Sequence, residues 1–521
     1  MTLHQRHQVA ILWADLEHSV RAIGQDGGLV SPAIYDTAQC LRFNPPATPW
    51  PIVDWLLEQQ QADGGWLEPG LAKARYLPTL AVLLALKSLN HIRRTSQDAI
   101  EAGLMFLHQQ QWTDWATLDD LPLGADLILP RLVDDAQTAG LAVDPRPYAP
   151  LIALGAQRRS RLQTSARQPD QAARHLWEGW GTVLMESLVD NMGTVGQSPA
   201  ASAFWLHAAR TDPALATLCA QVRQGLLHAE AATRSPIPGV VGTQWPLTTP
   251  ERVYSLHALL LAGMVGPTAA YALPTAVQVA VDQQLSLLQD TVRASTTRSL
   301  EPGRLDPATT ALAVTILTVA GYAVPPKAIT QVEQTAARQI EAWRTATPRS
   351  LAGSAHMLHA LATMERSTLV ADYQALITAR QLPTGIWPGE PEQHSAIITT
   401  ATVILALLAS GQRAQLAPLC QSLALFQHRA GGWGAGAGTA EETAYAVLAL
   451  GAARRHQCLP ASLGPALERA KHWLMAQYHP FGTTGAALWH GKERYRPLRI
   501  AHSVELAALI TLLLPAKTIA R

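Results

Sequence analysis

The sequence predicts an all-α protein built as two α/α-barrel domains. Three observations predict it: apolar residues recur at helical spacing from end to end, Gln…Gly-x-Trp segments punctuate those runs, and no succession of segments alternates with period two. The 521 residues exceed what one hydrophobic core usually supports, so two large domains are expected. Hydrophobic residues make up 48% and charged ones only 15%, which suits a large core and an apolar cavity.

The elements follow in order. From His4 to Gly24 the apolar positions Val9, Ile11, Leu12, Leu16, Val20 and Ile23 mark one amphipathic helix, and Gly24 to Gly28 breaks it. Gln60 to Trp66 is the first Gln-Trp segment; it recurs as Gln381 to Trp387, as Gln427 to Trp433, and in looser form from Gln477 to Trp489. Each lies between apolar helical stretches, so the chain reads as helical hairpins joined by Gly-rich turns, which close into rings. Pro236-Ile237-Pro238 and Trp245-Pro246 mark the return from one domain to the next. At Leu305 to Tyr322, Asp306 is placed to cap a helix whose first position is Pro307, followed by a buried apolar run that ends at Gly321-Tyr322.

Composition excludes several functions. Lys+Arg number 40 against 39 Asp+Glu, so no basic field exists to hold nucleic acid. Cys40, Cys219, Cys420 and Cys458 are scattered without metal-ligand spacing, and neither a disulfide framework nor a zinc site is indicated. The N-terminus has no signal-peptide pattern and no apolar run is long enough to span a bilayer, so a cytoplasmic protein without an integral membrane segment is expected.

The polar cluster before the Asp306 helix resembles the catalytic element of class II diterpene cyclases, Asp-x-Asp-Asp-Thr-Ala, which reads here Asp306, Pro307, Ala308, Thr309, Thr310, Ala311. Tyr35 to Ala38, Trp55 to Trp66, Leu121 to Gly124 with Leu129-Pro130, Ser198 to Ala201, Gly438 to Tyr445 and Leu488 to Glu493 extend the resemblance over nearly the whole chain. It implies the family's βγ arrangement: residues 1–24 belong with a β barrel at 236–521, a γ barrel at 25–235 is inserted between them, and the substrate cavity lies between the barrels.

The middle Asp of the family motif protonates an alkene, and Ala308 stands in its slot; a methyl group cannot donate a proton. The resemblance also implies a Mg²⁺ site at Asp119 and Asp120, with Asp114 as a third ligand, since Mg²⁺ takes hard oxygen ligands and bridges to phosphates. Arg158 and Arg161, with Lys492, are the implied diphosphate contacts. His394 falls where relatives line the cavity wall, and Asp306, Thr309 and Thr310 sit where the family acid sits, to order a water or to cap a helix. Asp134-Asp135 begins like a class I metal motif, but Thr138 fills the third slot, and the pair reads as an exposed helix face.

An intact cyclase frame without its acid suggests chemistry at the diphosphate end. The resemblance then implies the substrate, bicyclic (+)-kolavenyl diphosphate, and a conventional class II partner upstream: the expectation is a lyase-type diterpene synthase that removes the diphosphate with Mg²⁺ and quenches the allylic cation with water to give kolavelool. Three alternatives stand beside it: a protonating cyclase with a substitute acid, a non-catalytic prenyl-diphosphate-binding partner, and an α/α-barrel glycosidase. The last requires paired catalytic carboxylates and leaves the Gln-Trp segments unexplained.

Overall fold

In the computed structural model the described residues are 3–68, 73–89, 91–109, 121–164, 169–182, 184–297, 305–343, 350–389, 395–482 and 484–515. They are mostly helical, with almost no strand, and divide into two units. Unit 1 comprises 1–25, 248–486 and 497–521; unit 2 comprises 26–247 and 487–496. No described helix is long and apolar enough to cross a membrane.

The chain opens with α1 (Leu3–Arg21) in unit 1 and passes into unit 2. There α2 (Ile34–Phe43), α3 (Trp50–Glu58), α4 (Tyr76–Lys87), α5 (Arg94–Gln109), α6 (Ala125–Thr138), α7 (Ala149–Thr164), α8 (Gln171–His175), α9 (Trp177–Trp180), α10 (Pro199–Ala209) and α11 (Ala216–Ala231) follow. Helices α2, α4, α6, α9 and α10 pack in a closed cycle, with α5, α7 and α11 on its outside. The return to unit 1 falls at Leu247/Thr248 rather than 235/236. The reason is local: Ala33 N–H donates to Val241 O, Trp245 N–H to Gln197 O and the Trp245 indole to Asp26 O, so this segment belongs to the unit 2 core. Residues 487–496 also belong there, as a short antiparallel hairpin of β1 (Trp489–His490) and β2 (Arg494–Tyr495).

Unit 1 continues with α12 (Thr248–Leu261), α13 (Thr275–Thr297), α14 (Pro307–Ala320), α15 (Pro326–Trp343), α16 (Leu351–Thr363), α17 (Ser367–Thr378), α18 (Ala396–Ala409), α19 (Arg413–Leu425), α20 (Ala440–Arg455), α21 (Gly464–Gln477) and α22 (Leu498–Leu513). Helices α12, α14, α16, α18, α20 and α22 close an inner ring, and the alternate helices pack outside it. The division follows from pattern. In α14 every residue from Thr309 to Leu317 is buried, as an inner helix requires, whereas α15 buries Ala328, Val332, Thr335, Ala336 and Ile340 along one stripe. Helix α1 completes the outer ring against α13 and α22. Its Asp15 carboxylate accepts from Tyr478 Oη at 2.7 Å, Phe481 N at 2.9 Å and His502 Nε2 at 3.0 Å; burial opposes its charge, but these partners hold its pKa below the usual carboxylate range.

Three Gln-Trp segments share one hydrogen-bond scheme. The indoles of Trp66, Trp387 and Trp433 donate to Leu56 O, Ile377 O and Leu423 O, each ten residues back, at 2.7, 2.7 and 2.8 Å. Their backbone N–H groups donate to the hydroxyls of Thr79, Thr400 and Thr443, and the side chains of Gln60, Gln381 and Gln427 donate to Gly64 O, Gly385 O and Gly431 O. Each segment thereby fastens the end of an outer helix to the start of the next inner one. Glycine is required in the turn: a Cβ on Gly431 would lie 2.4 Å from Arg469 O, and φ there is +112°. The looser fourth segment departs from the scheme, since Trp489 lies in β1 of unit 2.

Candidate active site

The inner helices of unit 1 are parallel, because each is followed by an outer helix running back, and their N-termini meet at one mouth. A Cβ built on Gly353 of α16 would lie 3.9 Å from Ala308 Cβ of α14. Ser395, the cap of α18, donates to Glu442 of α20 at 2.7 Å, and Arg499 of α22 donates to Glu251 of α12 at 3.0 Å. The mouth thus carries the caps Asp306, Ser350, Ser395 and Thr439 with the carboxyl groups of Glu251, Glu441 and Glu442. Glu442 also accepts from Thr439 Oγ1 at 2.7 Å and Ala435 N at 3.1 Å, which commits it to a variant of the capping box. Glu441 is fully enclosed, and its charge adds to burial in raising the Tyr445 phenol.

Asp306 occupies the expected cap. Its Oδ1 accepts from Thr309 N at 2.9 Å, the Thr309 hydroxyl donates to Oδ2, and the residue is exposed. Thr310 is buried and its hydroxyl donates to Asp306 O at 2.8 Å, within its own helix. Asp114, Asp119, Asp120 and His394 lie outside the described residues. Among the described residues no group of three or more His, Cys, Asp or Glu side chains is arranged to hold a metal ion.

The basic candidates fall in unit 2. Arg158 and Arg161 lie three residues apart on α7; Arg161 is exposed, and Arg158 Nη1 donates to Asp126 at 2.8 Å. Where the resemblance implied a diphosphate contact at Lys492, the structure places an interior ion pair. Its ammonium has no exposed surface and donates to Glu178 Oε1 and Ser198 Oγ, both at 2.5 Å, with Asp36 3.6 Å away. Two carboxylates facing one ammonium in a dry interior push the Asp36 carboxyl up to about 6, through burial and the charge of Glu178 against the pull of Lys492. Beside it Glu493 accepts from Ile34 N and Tyr35 N, and burial still raises it to about 8. Asp135, read as an exposed acid, is half-buried between Arg42 and Arg131.

A cluster that sequence reasoning missed lies inside the unit 1 ring. His257 of α12 meets His356 and His359 of α16 at ring-centroid separations of 5.3 and 6.0 Å. Helix α14 stands between α12 and α16 in the ring, and α13 and α15 cover its outer side, so the three imidazoles meet on the inner side, in the lumen. All three are buried. Burial and mutual repulsion bring His257 well below the usual imidazole range, burial and His359 bring His356 to about 3, and burial brings His359 to about 4, so all are neutral. The signal available was the i,i+3 spacing of Tyr254 with His257 and of His356 with His359.

Comparison with known proteins completes the description. No family model matches the chain. The (+)-kolavenyl diphosphate synthase of Herpetosiphon aurantiacus is 33% identical over 523 residues, covering 97% of this chain and 98% of its own. Copalyl diphosphate synthase of Streptomyces cyslabdanicus is 28% identical over 528 residues, covering 92% of each. Among solved structures, ent-copalyl diphosphate synthase from Streptomyces platensis superposes with a TM-score of 0.70 at 23% identity, covering 98% of this chain and 99% of that one, which establishes the didomain helical fold. These relatives correct the expectation of Mg²⁺-dependent diphosphate removal to an alcohol, and with it the lyase class. They are named as synthases of a diphosphate, and the compound expected as substrate is the product in one relative's name.

Proposed function

Because the chain belongs to the class II diterpene cyclase family, we propose that it cyclises a linear C20 prenyl diphosphate by protonation and leaves the diphosphate on a bicyclic product. One proton enters and one leaves, so the reaction is an isomerisation. The observation that carries the proposal is the carboxyl of Asp306 at the mouth of the unit 1 ring, two residues from the slot where Ala308 replaces the family acid.

Asp306 Oδ2 gives its proton to the terminal alkene; the alkene's electron pair forms the new C–H bond and the resulting cation is attacked in turn by the internal alkenes. The Thr309 hydroxyl serves either state of the acid, because it donates to the carboxylate and, after rotation, accepts from the protonated group. The apolar inner helices exclude water that would quench the cation early. Arg158 and Arg161 as diphosphate contacts, and Asp114, Asp119 and Asp120 as Mg²⁺ ligands, remain part of the proposal on the resemblance alone. Ala308 favours one other reading, a chain that binds the diphosphate without turnover.

Single-turnover assays on geranylgeranyl diphosphate with Mg²⁺ separate them. Asp306→Asn keeps the side-chain acceptor for the Thr309 N–H but has no proton to give, and is expected to lose about 10²–10⁴-fold in rate. Unchanged turnover in Asp306→Asn overturns Asp306 as the acid, and no turnover by the unaltered chain leaves the binding-only reading.

A further inference from the structure

Exposed apolar side chains scattered singly over a surface need no explanation. In unit 1 four large ones are gathered. Leu382, Leu425, Phe426 and Phe481 sit at or just past the C-terminal ends of three successive outer helices, α17, α19 and α21. Leu425 leaves 82% of its surface in solvent, Phe481 51%, and Leu382 and Phe426 39% each. An outer helix ends where the next inner one begins, so all four lie at the mouth end of the ring. The turns that carry them abut the neighbouring outer helix. A Cβ on Gly385 would lie 2.2 Å from Ser422 Oγ, and Leu425 and Phe426 follow Ser422 by about one helical turn. The next turn repeats the contact, with Gly431 against Arg469 and Gly432 against Trp473 of α21.

The charges beside these residues have one sign. Arg380 directly precedes the first turn, Arg429 is exposed in the second, and Arg469, exposed on α21, donates to Gln427 Oε1 at 2.5 Å. Residues 378–387, 425–439 and 477–482 contain no Asp or Glu. On α21 Glu468 is already paired with Lys471. We propose that this rim is a docking surface for a bilayer that carries anionic phospholipid headgroups. The apolar tips enter the boundary between headgroups and acyl chains, and the guanidinium groups, which bind phosphate oxygens in bidentate fashion, hold the headgroups. A flat, deformable bilayer meets such helix ends without needing a groove. The attachment is peripheral, since no described helix is long and apolar enough to cross a membrane. The C20 diphosphate proposed as substrate is itself an amphiphile that partitions into bilayers, but the docking stands or falls without that reading.

The test is cosedimentation of the full-length chain with vesicles of phosphatidylcholine alone and of phosphatidylcholine mixed with phosphatidylserine. The unaltered chain is compared with Arg429→Ser and with a variant carrying both Leu425→Ser and Phe426→Ser. All three positions are exposed, and melting temperature confirms that the variants are folded. Expected is binding to the mixed vesicles that weakens as salt is raised. Affinity should fall about tenfold or more in the double variant and about fivefold in Arg429→Ser. If the double variant fails to fold, Leu382→Ser takes its place. Unaltered chain that stays in the supernatant, or folded variants that bind as it does, overturns the proposal, and so does equal binding to both kinds of vesicle. Self-association in analytical ultracentrifugation that the double variant abolishes, without vesicle binding, assigns the rim to a second copy of this chain and overturns the bilayer.

Discussion

Asp306 Oδ1 accepts the backbone N–H of Thr309 at 2.9 Å, so the carboxyl that stands beside the vacated acid slot is also the cap of α14. Capping and proton donation place different demands on the same group, and substitutions separate them. Asp306→Ala should lower stability by about 1 kcal/mol as well as abolish cyclisation, whereas Asp306→Asn should keep the stability and lose only the chemistry. Urea unfolding beside the turnover assay reads both, and equal destabilisation by the two variants contradicts the cap.

Lys492 and Glu178 make a closed ion pair in the core of unit 2. Removing one member strands the other, so Lys492→Met should destabilise by about 3–5 kcal/mol, seen as a lower urea midpoint. A variant as stable as the parent would show that the pair is not held as described.

Asp36 titrates at about 6 because burial and Glu178 outweigh Lys492, above the ordinary 3.8 of an aspartate. Between those values the folded chain holds a proton that the unfolded chain has released. Stability from this group therefore falls as pH rises through the window. Asp36→Asn should flatten the dependence of unfolding free energy on pH from about 4 to 6; an identical slope in parent and variant contradicts it.

The indole of Trp433, a fully buried side chain, donates to Leu423 O at 2.8 Å. Trp433→Phe leaves that carbonyl without its donor and should cost about 1–3 kcal/mol beyond the lost volume. Hydrogen exchange at the start of α20 should rise with it, and unchanged protection there contradicts the staple.

Much of the frame was legible because it rests on local rules. The Asp306-Pro307 start of α14 is set by cap and φ, and the Gln60, Gln381 and Gln427 segments keep a six-residue spacing that each of their turns needs. What sequence did not yield depends on long-range packing. The placement of Lys492 inside unit 2 depends on Asp36, Glu178 and Ser198, from three distant parts of the chain. His257 and His356 are about a hundred residues apart, and only ring closure makes them neighbours. The reaction was misread because the missing carboxyl at Ala308 was weighed above the alternative of a substitute acid, although Asp306 stands two residues away.

The most direct test is to incubate the protein with geranylgeranyl diphosphate and Mg²⁺, assay released pyrophosphate, and compare organic extracts before and after phosphatase by gas chromatography and mass spectrometry. A bicyclic alcohol found only after phosphatase, with no pyrophosphate released, is the predicted result. A terpene alcohol or hydrocarbon present without phosphatase, matched by pyrophosphate, contradicts retention of the diphosphate and with it the proposed reaction.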